Sequence, residues 1–156
     1  MQKITPHLWF DKEAKEAAEF YTSIFPNSKI IKHSVIKGTP SGDCDIMSYE
    51  LAGQRFMSIS AGPYFKINPS ISFMVNFDPS SDSSAKENLT KLWEKLIDGG
   101  KIMMPLQEYP FSKWYGWGED KYGVSWQLIL TNPDGEERPF ITPSLLFVGK
   151  VDGKAE

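Results

Sequence analysis

The chain has one cysteine, Cys44, in 156 residues, so no disulfide can form within it and no multi-cysteine zinc site can be built. A reducing compartment is the expected setting. Histidine is scarce as well, with His7 and His33 the two in the chain. Charge of one sign is missing: 17 basic and 20 acidic side chains are scattered along the length and leave a net charge of −3. That balance offers no footprint for a phosphate backbone, and nucleic acid is not an expected partner. No stretch approaches the ~20 consecutive apolar residues of a membrane span, and the opening MQKITPHLWFDKEAKEAA does not read as a leader. The expectation is a cytoplasmic protein with no membrane partner. What is present is ordinary for a globular chain, 40% apolar and 24% charged residues, enough for one domain or for two half-sized modules sharing a core.

Residues 4–10, ITPHLWF, alternate Leu8 and Phe10 with His7 and Trp9, which suits a short strand with two environments. Asp11 is placed to cap a helix whose apolar stripe is Ala14, Ala17, Ala18, Tyr21, Ile24 and Phe25, stopped by Pro26. Lys29 to Lys37 reads as a strand and KGTPSGD as a turn, followed by a hairpin of Ile46 to Leu51 and Arg55 to Ser60 about Ala52-Gly53-Gln54. After a Gly- and Pro-containing linker over 61–70 the order begins again. Ile71 to Phe77 is a strand. Ser84-Ala85-Lys86-Glu87 matches a capping box, and Leu89, Leu92, Trp93, Leu96 and Ile97 form the next stripe before Gly99-Gly100. Lys101 to Leu106, Trp114 to Trp117 and Val124 to Thr131 are three further strands, closed by the turn Asn132-Pro133-Asp134-Gly135.

A shift of 67 lays Trp9-Phe10-Asp11 over Asn76-Phe77-Asp78, and a shift of 70 lays Gly53-Gln54-Arg55-Phe56-Met57 over Gly123-Val124-Ser125-Trp126-Gln127. The chain therefore reads as a duplicated βαβββ unit, an α+β fold. A third echo follows: Ile141-Thr142-Pro143-Ser144-Leu145-Leu146-Phe147 repeats Ile4-Thr5-Pro6-His7-Leu8-Trp9-Phe10 in five of seven positions. Gly153-Lys154-Ala155-Glu156 looks like the helix start Glu13-Ala14-Lys15-Glu16. Residues 138–156 are expected to be the start of a further repeat, cut one strand in, or else an extra edge strand.

Five segments together resemble the PhnB-like branch of the vicinal-oxygen-chelate superfamily (glyoxalase, bleomycin resistance, dihydroxybiphenyl dioxygenase), often labelled demethylubiquinone methyltransferase-like. They are ITPHLWFD at 4–11, EAAEFYTSIFPNSKI at 16–30, SISFMVNFD at 70–78, LWEKLIDGG at 92–100 and GWGEDKYGVSWQLI at 116–129. The resemblance implies one such domain over 1–137, with module one at 4–61 and module two at 70–131. It further implies curved mixed sheets around a cavity, and a homodimer or an intramolecular tandem pair. The methyltransferase label finds no cofactor motif: the glycines lie in AGQ, GWG, KYG and DGG turns, not in the strand–turn–helix spacing that brings a backbone close to a dinucleotide-like cofactor.

By strand alternation the cavity side of the first strand carries Thr5, His7 and Trp9, and its counterpart carries Ser72, Met74 and Asn76. Met57 and its aligned partner Gln127 stand at the module ends. A divalent ion would need three or four His, Glu or Asp donors at one point; His7 and Gln127 are the credible candidates, and two donors do not make a tight site. No metal and no other cofactor is expected. His33, in IIKHSVIK, reads as a solvated strand residue. Cys44 has acidic neighbours, which oppose a thiolate nucleophile. Lys113, Glu119, Asp120 and Lys121 read as solvated loop charges, with orientation of the turn before Tyr122-Gly123 as the alternative for Asp120. The aromatic stretch Gln107 to Trp117 suits core and dimer packing, or else a pocket wall or an interface. The expected small-molecule-binding residues are His7, Trp9, Met57, Met74, Asn76, Trp114, Trp117 and Gln127, with no catalytic residue assigned. The alternatives are a metal-dependent lyase, isomerase or dioxygenase of the same fold, or an interaction module whose aromatic loop docks a protein.

Overall fold

Apolar side chains at alternate strand positions and at helical spacing produce two βαβββ units in the computed structural model, which describes residues 4–154. The helix start expected at 153–156 lies partly outside those residues. The chain divides into Met1–Ile67 and Asn68–Glu156, called unit 1 and unit 2 below.

Unit 1 runs β1 (His7–Phe10), α1 (Ala14–Ile24), β2 (Lys29–Thr39), β3 (Gly42–Leu51) and β4 (Gln54–Ser60), in the sheet order β1-β4-β3-β2 with β1 parallel to β4. Unit 2 runs β5 (Ile71–Phe77), α2 (Ala85–Ile97), β6 (Lys101–Tyr109), β7 (Ser112–Glu119) and β8 (Ser125–Leu130). A further strand, β9 (Ile141–Leu145), lies antiparallel to β5, giving the order β6-β7-β8-β5-β9. The duplication is exact in register. His7 lies opposite Met57 on β4, and Met74 lies opposite Gln127 on β8; 7 + 67 is 74 and 57 + 70 is 127, so both shifts read from the letters hold in the sheets.

Both helices bury the stripes their spacing implies: Ala14, Ala17, Ala18 and Tyr21 in α1, and Leu89, Leu92, Trp93 and Leu96 in α2. The caps differ from expectation. Glu13, not Asp11, stands at the start of α1, and neither helix has a side-chain cap bond. Instead the Ala14 N–H donates to the buried Ser60 hydroxyl at 3.0 Å, and the Ser58 hydroxyl donates to the Ala14 carbonyl at 3.2 Å. A helix-start donor left over by backbone geometry is thus satisfied from β4. The expected long turn KGTPSGD shrinks to Pro40-Ser41, because β2 runs on to Thr39 and β3 begins at Gly42. The aromatic stretch Gln107 to Trp117 is the β6–β7 hairpin rather than a loop.

Candidate functional site

The Ser58 hydroxyl contacts α1, so its neighbours Met57 and Ile59 project from the opposite face of the sheet. Leu8 and Phe10 are buried, which leaves His7 and Trp9 on that same opposite face, beside Met57 and Ile59 respectively. Ile46 and Ser48 complete it through pairing with Ile59 and Met57. The Trp9 indole N–H donates to the Gly62 carbonyl at 2.9 Å, and Phe65 stands edge-on to its ring at a centroid distance of 5.1 Å. Unit 1 thus brings His7, Trp9 and Met57 onto one face with Ile46, Ser48 and Ile59.

In unit 2 a Cβ built on Gly116 would meet the Trp93 ring of α2 at 2.8 Å, so Tyr115 and Trp117 point away from the helix. Trp117 pairs with Gln127, Gln127 with Met74, and Ser125 with Ser72. A chain of neutral hydrogen bonds crosses this face. The Tyr115 hydroxyl donates to Gln127 Oε1 at 2.6 Å, and Gln127 Nε2 donates to Ser72 Oγ at 2.6 Å. The Trp117 indole N–H donates to Ser125 Oγ at 2.9 Å. Burial, with Tyr109 nearby, pushes the Tyr115 hydroxyl up to about 12, which keeps it a donor throughout the neutral range. Asn76 Nδ2 donates to the Pro139 carbonyl at 2.8 Å and to Thr142 Oγ1 at 3.3 Å, while its Oδ1 is buried with no partner.

Met74, Asn76, Trp117 and Gln127 therefore share a face, and Trp114 does not. Its indole N–H donates to Thr90 on α2 at 3.0 Å and Lys86 lies over its ring at 4.1 Å. Adjacent strand residues cannot both face one side, and Tyr115 takes the place that Trp114 was expected to hold. Ser72 and Tyr115 are missing from the expected ligand residues; the pairing of Ser72 with Ser125 and of Trp117 with Gln127 would have pointed to them. The His33 ring nitrogen lies 2.6 Å from Asp45 Oδ1 in an exposed pair, and Cys44 is buried. Asp120 is buried and accepts from the Tyr122 and Val124 backbone N–H groups and from the Trp126 indole. It holds the turn from which Gln127 follows.

Sequence reading also left out two polar hollows at the C-terminal ends of the parallel strand pairs. One, about 440 Å³, is lined by residues including Asp11, Asp43, Asp45, Ser60 and Tyr64. The other, about 330 Å³, includes Asn76, Asp78, Ser80, Thr131 and Arg138. Hydrogen bonds from the Ser80 hydroxyl and N–H hold the Asp78 carboxyl below its usual range. Loops beyond the strand ends supply most of both linings, so periodicity carries no sign of them.

The donor set does not fit a hard divalent ion. His7 faces a thioether, Met57, and Met74 faces an amide, Gln127, whose oxygen and nitrogen are both engaged in hydrogen bonds. Among the described residues no group of three or more His, Cys, Asp or Glu is arranged to hold a metal. None of their helices is long and apolar enough to cross a membrane.

Two mixed sheets, each from one βαβββ unit, make the glyoxalase/bleomycin-resistance fold, in its PhnB-like branch. A PhnB protein from Bacillus cereus is 39% identical, with a TM-score of 0.74 over 83% of this chain and 100% of that one. A glyoxylase/bleomycin resistance protein/dioxygenase domain from Frankia sp. EAN1pec (16% identity, TM-score 0.58, 86% of this chain and 96% of that one) and the fosfomycin resistance protein FosX from Listeria monocytogenes (13%, 0.53, 85% and 95%) share the fold. Comparison with curated proteins finds no match. Residues 2–129 match the family described as 3-demethylubiquinone-9 3-methyltransferase, and the chain belongs to that family.

Proposed function

We propose that the protein binds a small, uncharged, partly aromatic molecule on these sheet faces and does so without a tightly held metal. The observation that carries the reading is the Tyr115–Gln127–Ser72 chain: at the register position equivalent to His7–Met57, where a metal donor would have to stand, the amide is committed at both ends to neutral partners. Coordination through Oε1 would compete with the Tyr115 hydrogen bond inside a half-buried network. Hydrogen-bonding capacity remains for a ligand in the second Nε2 proton, the second lone pair of Oε1, the Ser72 hydroxyl proton and the lone pairs of the Tyr115 oxygen. Trp117 and Met74 supply flat and deformable apolar surface beside them. His7, Trp9 and Met57 on unit 1, with Met74, Asn76, Trp117 and Gln127 on unit 2, are the proposed ligand-binding residues, and a homodimer or tandem pair is the proposed working form. No group on either face is assigned to catalysis, and no step through S-adenosylmethionine or a metal is derived.

The test is metal analysis of the purified protein together with thermal-shift screening against uncharged aromatic compounds. Metal well below one equivalent after dialysis, with stabilising ligands whose effect falls in Gln127→Leu, is the expected result. A stoichiometric transition metal that resists chelation and is lost in His7→Ala would overturn the reading in favour of a metal-assisted enzyme of this fold.

A further inference from the structure

The two polar hollows occupy equivalent places in the two units. Adding 67 to Asp11 gives Asp78 and adding 70 to Gly62 gives Asn132, and each of these residues lines the hollow of its own unit. Their hydrogen bonding differs. Near the end of β1 stands Trp9, whose indole N–H is met by the Gly62 carbonyl at 2.9 Å. The same register position on β5 is Asn76, since 9 + 67 is 76, and Asn76 lines the second hollow. Its Nδ2 is turned to Pro139 and Thr142, so the planar amide directs Oδ1 away from them. That oxygen is buried without a donor, in a residue 5% exposed. Exchanging the two ends of the amide gives no relief, because it sets an oxygen against the Pro139 carbonyl. A buried acceptor with no partner is rare in native structures and calls for an occupant.

Charge decides which donor fits. Asp78, Glu136 and Glu137 line the hollow against one guanidinium, Arg138, and none of the four makes an ion pair among the described residues. The Asp78 carboxylate is fixed by the Ser80 N–H and hydroxyl, which donate to its Oδ1 at 2.8 Å and 2.7 Å. In the unit 1 hollow the acids are already engaged: Asp43 accepts from the Gly38 N–H, Asp45 lies 2.6 Å from the His33 ring nitrogen, and Lys12 joins the lining. A water molecule in the unit 2 hollow would satisfy Oδ1 and leave the carboxylates unbalanced. A divalent ion lacks its donor set, because among the described residues no three His, Cys, Asp or Glu converge to hold a metal. An ammonium group brings several N–H donors and positive charge together.

We propose that the unit 2 hollow, about 330 Å³, is a binding site for a small molecule bearing a primary ammonium group, with Asn76 Oδ1 and the Asp78 carboxylate as its acceptors. Of the residues proposed above to bind an uncharged ligand, Asn76 alone lines it, and the inference does not depend on that reading.

The test is titration of the isotope-labelled full chain with ethylammonium chloride at constant ionic strength, followed by backbone amide NMR shifts. Tetramethylammonium chloride, which carries the same charge and no N–H, is the comparison. Saturable shifts confined to residues 76–81 and 131–138 are expected with ethylammonium, and binding of tetramethylammonium should be roughly ten-fold weaker, as loss of a charge-assisted hydrogen bond implies. Asp78→Asn keeps an oxygen for Ser80 and removes the charge; it should weaken ethylammonium binding by a similar factor. Asn76→Leu should weaken it as much, and Asp78→Asn decides alone should the leucine variant not fold by circular dichroism. Equal binding of the two cations, no saturable shift in those segments, or an affinity unchanged in Asp78→Asn overturns the proposal. Magnesium chloride saturating the same shifts at lower concentration than ethylammonium overturns it in favour of a metal.

Discussion

In unit 1 the helix is small and the sheet is large: Ala14, Ala17 and Ala18 of α1 are buried on a sheet that presents Met47 and Tyr49. In unit 2 the division is reversed. Ser48 opposite Met57 corresponds to Trp117 opposite Gln127, so Met47 and Tyr49 correspond to Gly116 and Gly118. A Cβ at Gly116 would meet the Trp93 ring at 2.8 Å, and one at Gly118 would meet Ile97 Cδ1 at 2.5 Å and the Lys101 carbonyl at 2.8 Å. The two layers are filled by opposite partitions of volume, as close packing demands of any pair of facing surfaces. The lesson is that the duplicated feature is backbone register, and side-chain volume is free to move between helix and sheet as long as the sum is kept.

That comparison breaks most sharply at Trp93. Trp93→Ala should cost about 3–5 kcal/mol by urea unfolding, since it empties a volume the glycines cannot fill. Gly116→Met alone should cost about 1–3 kcal/mol through overpacking. Combined, the two should be at least about 1 kcal/mol less damaging than their sum, because the methionine enters the space the tryptophan left and recreates the unit 1 arrangement. Strict additivity would show that the two positions do not exchange volume.

The faces turned away from the helices differ in chemistry as the buried faces differ in size. Ile46, Ser48 and Met57 in unit 1 stand where Tyr115, Trp117 and Gln127 stand in unit 2. Ile46 and Met57 are apolar where Tyr115 and Gln127 are joined by a hydrogen bond, and pH separates the two faces. The unfolded chain releases a tyrosine proton near pH ~10, whereas folded Tyr115 holds it to about 12. Between those values the unfolded state binds fewer protons, so stability falls as pH rises through that window and is intact below it. Tyr115→Phe should cost about 1 kcal/mol at neutral pH through the unpaired Gln127 oxygen, and it should remove one alkaline step from a plot of stability against pH. A variant with an unchanged alkaline profile would show that the Tyr115 hydroxyl is not held as the structure places it.

Much of this was legible in the chain. Two helical stripes, eight strand segments and the 67 and 70 shifts are local patterns, and local patterns survive folding when each agrees with the fold. The α1 cap was not legible, because Ser60 lies 46 residues from Ala14. The β2–β3 turn was misjudged because Gly and Pro in KGTPSGD imply a break; Gly38 and Gly42 take positive φ at 69° and 88°, and after a register shift past Ile36 the pairing resumes at Thr39 opposite Gly42. The site was half legible. Parity placed His7, Trp9, Met74 and Asn76 on one side of their strands. Aromatic density put Trp114 among the ligand residues, whereas its parity sends it to α2 with Gly116.

The smallest test lies in the turns that lead into β4 and β8. In unit 2, Asp120 organises the connection through three accepted hydrogen bonds, and the residue with positive φ is Gly123, at 83°. In unit 1 the connection is two residues, Ala52 and Gly53, both with positive φ at 49° and 80°, which is the geometry that a tight hairpin requires and that asparagine followed by glycine fits best. Alanine in the left-handed region is strained by its Cβ, and asparagine tolerates it. The Ala52 N–H donates to the Ser28 hydroxyl at 3.0 Å, a backbone bond that a side-chain exchange leaves in place. Ala52→Asn should therefore stabilise the protein by about 0.5 kcal/mol in denaturant unfolding, whereas Asp120→Asn should destabilise it, because an amide cannot offer two accepting oxygens to three donors. If Ala52→Asn were destabilising, unit 1 would owe its turn to something other than backbone strain relief, and the contrast between a strained short turn and a stapled long one would fail.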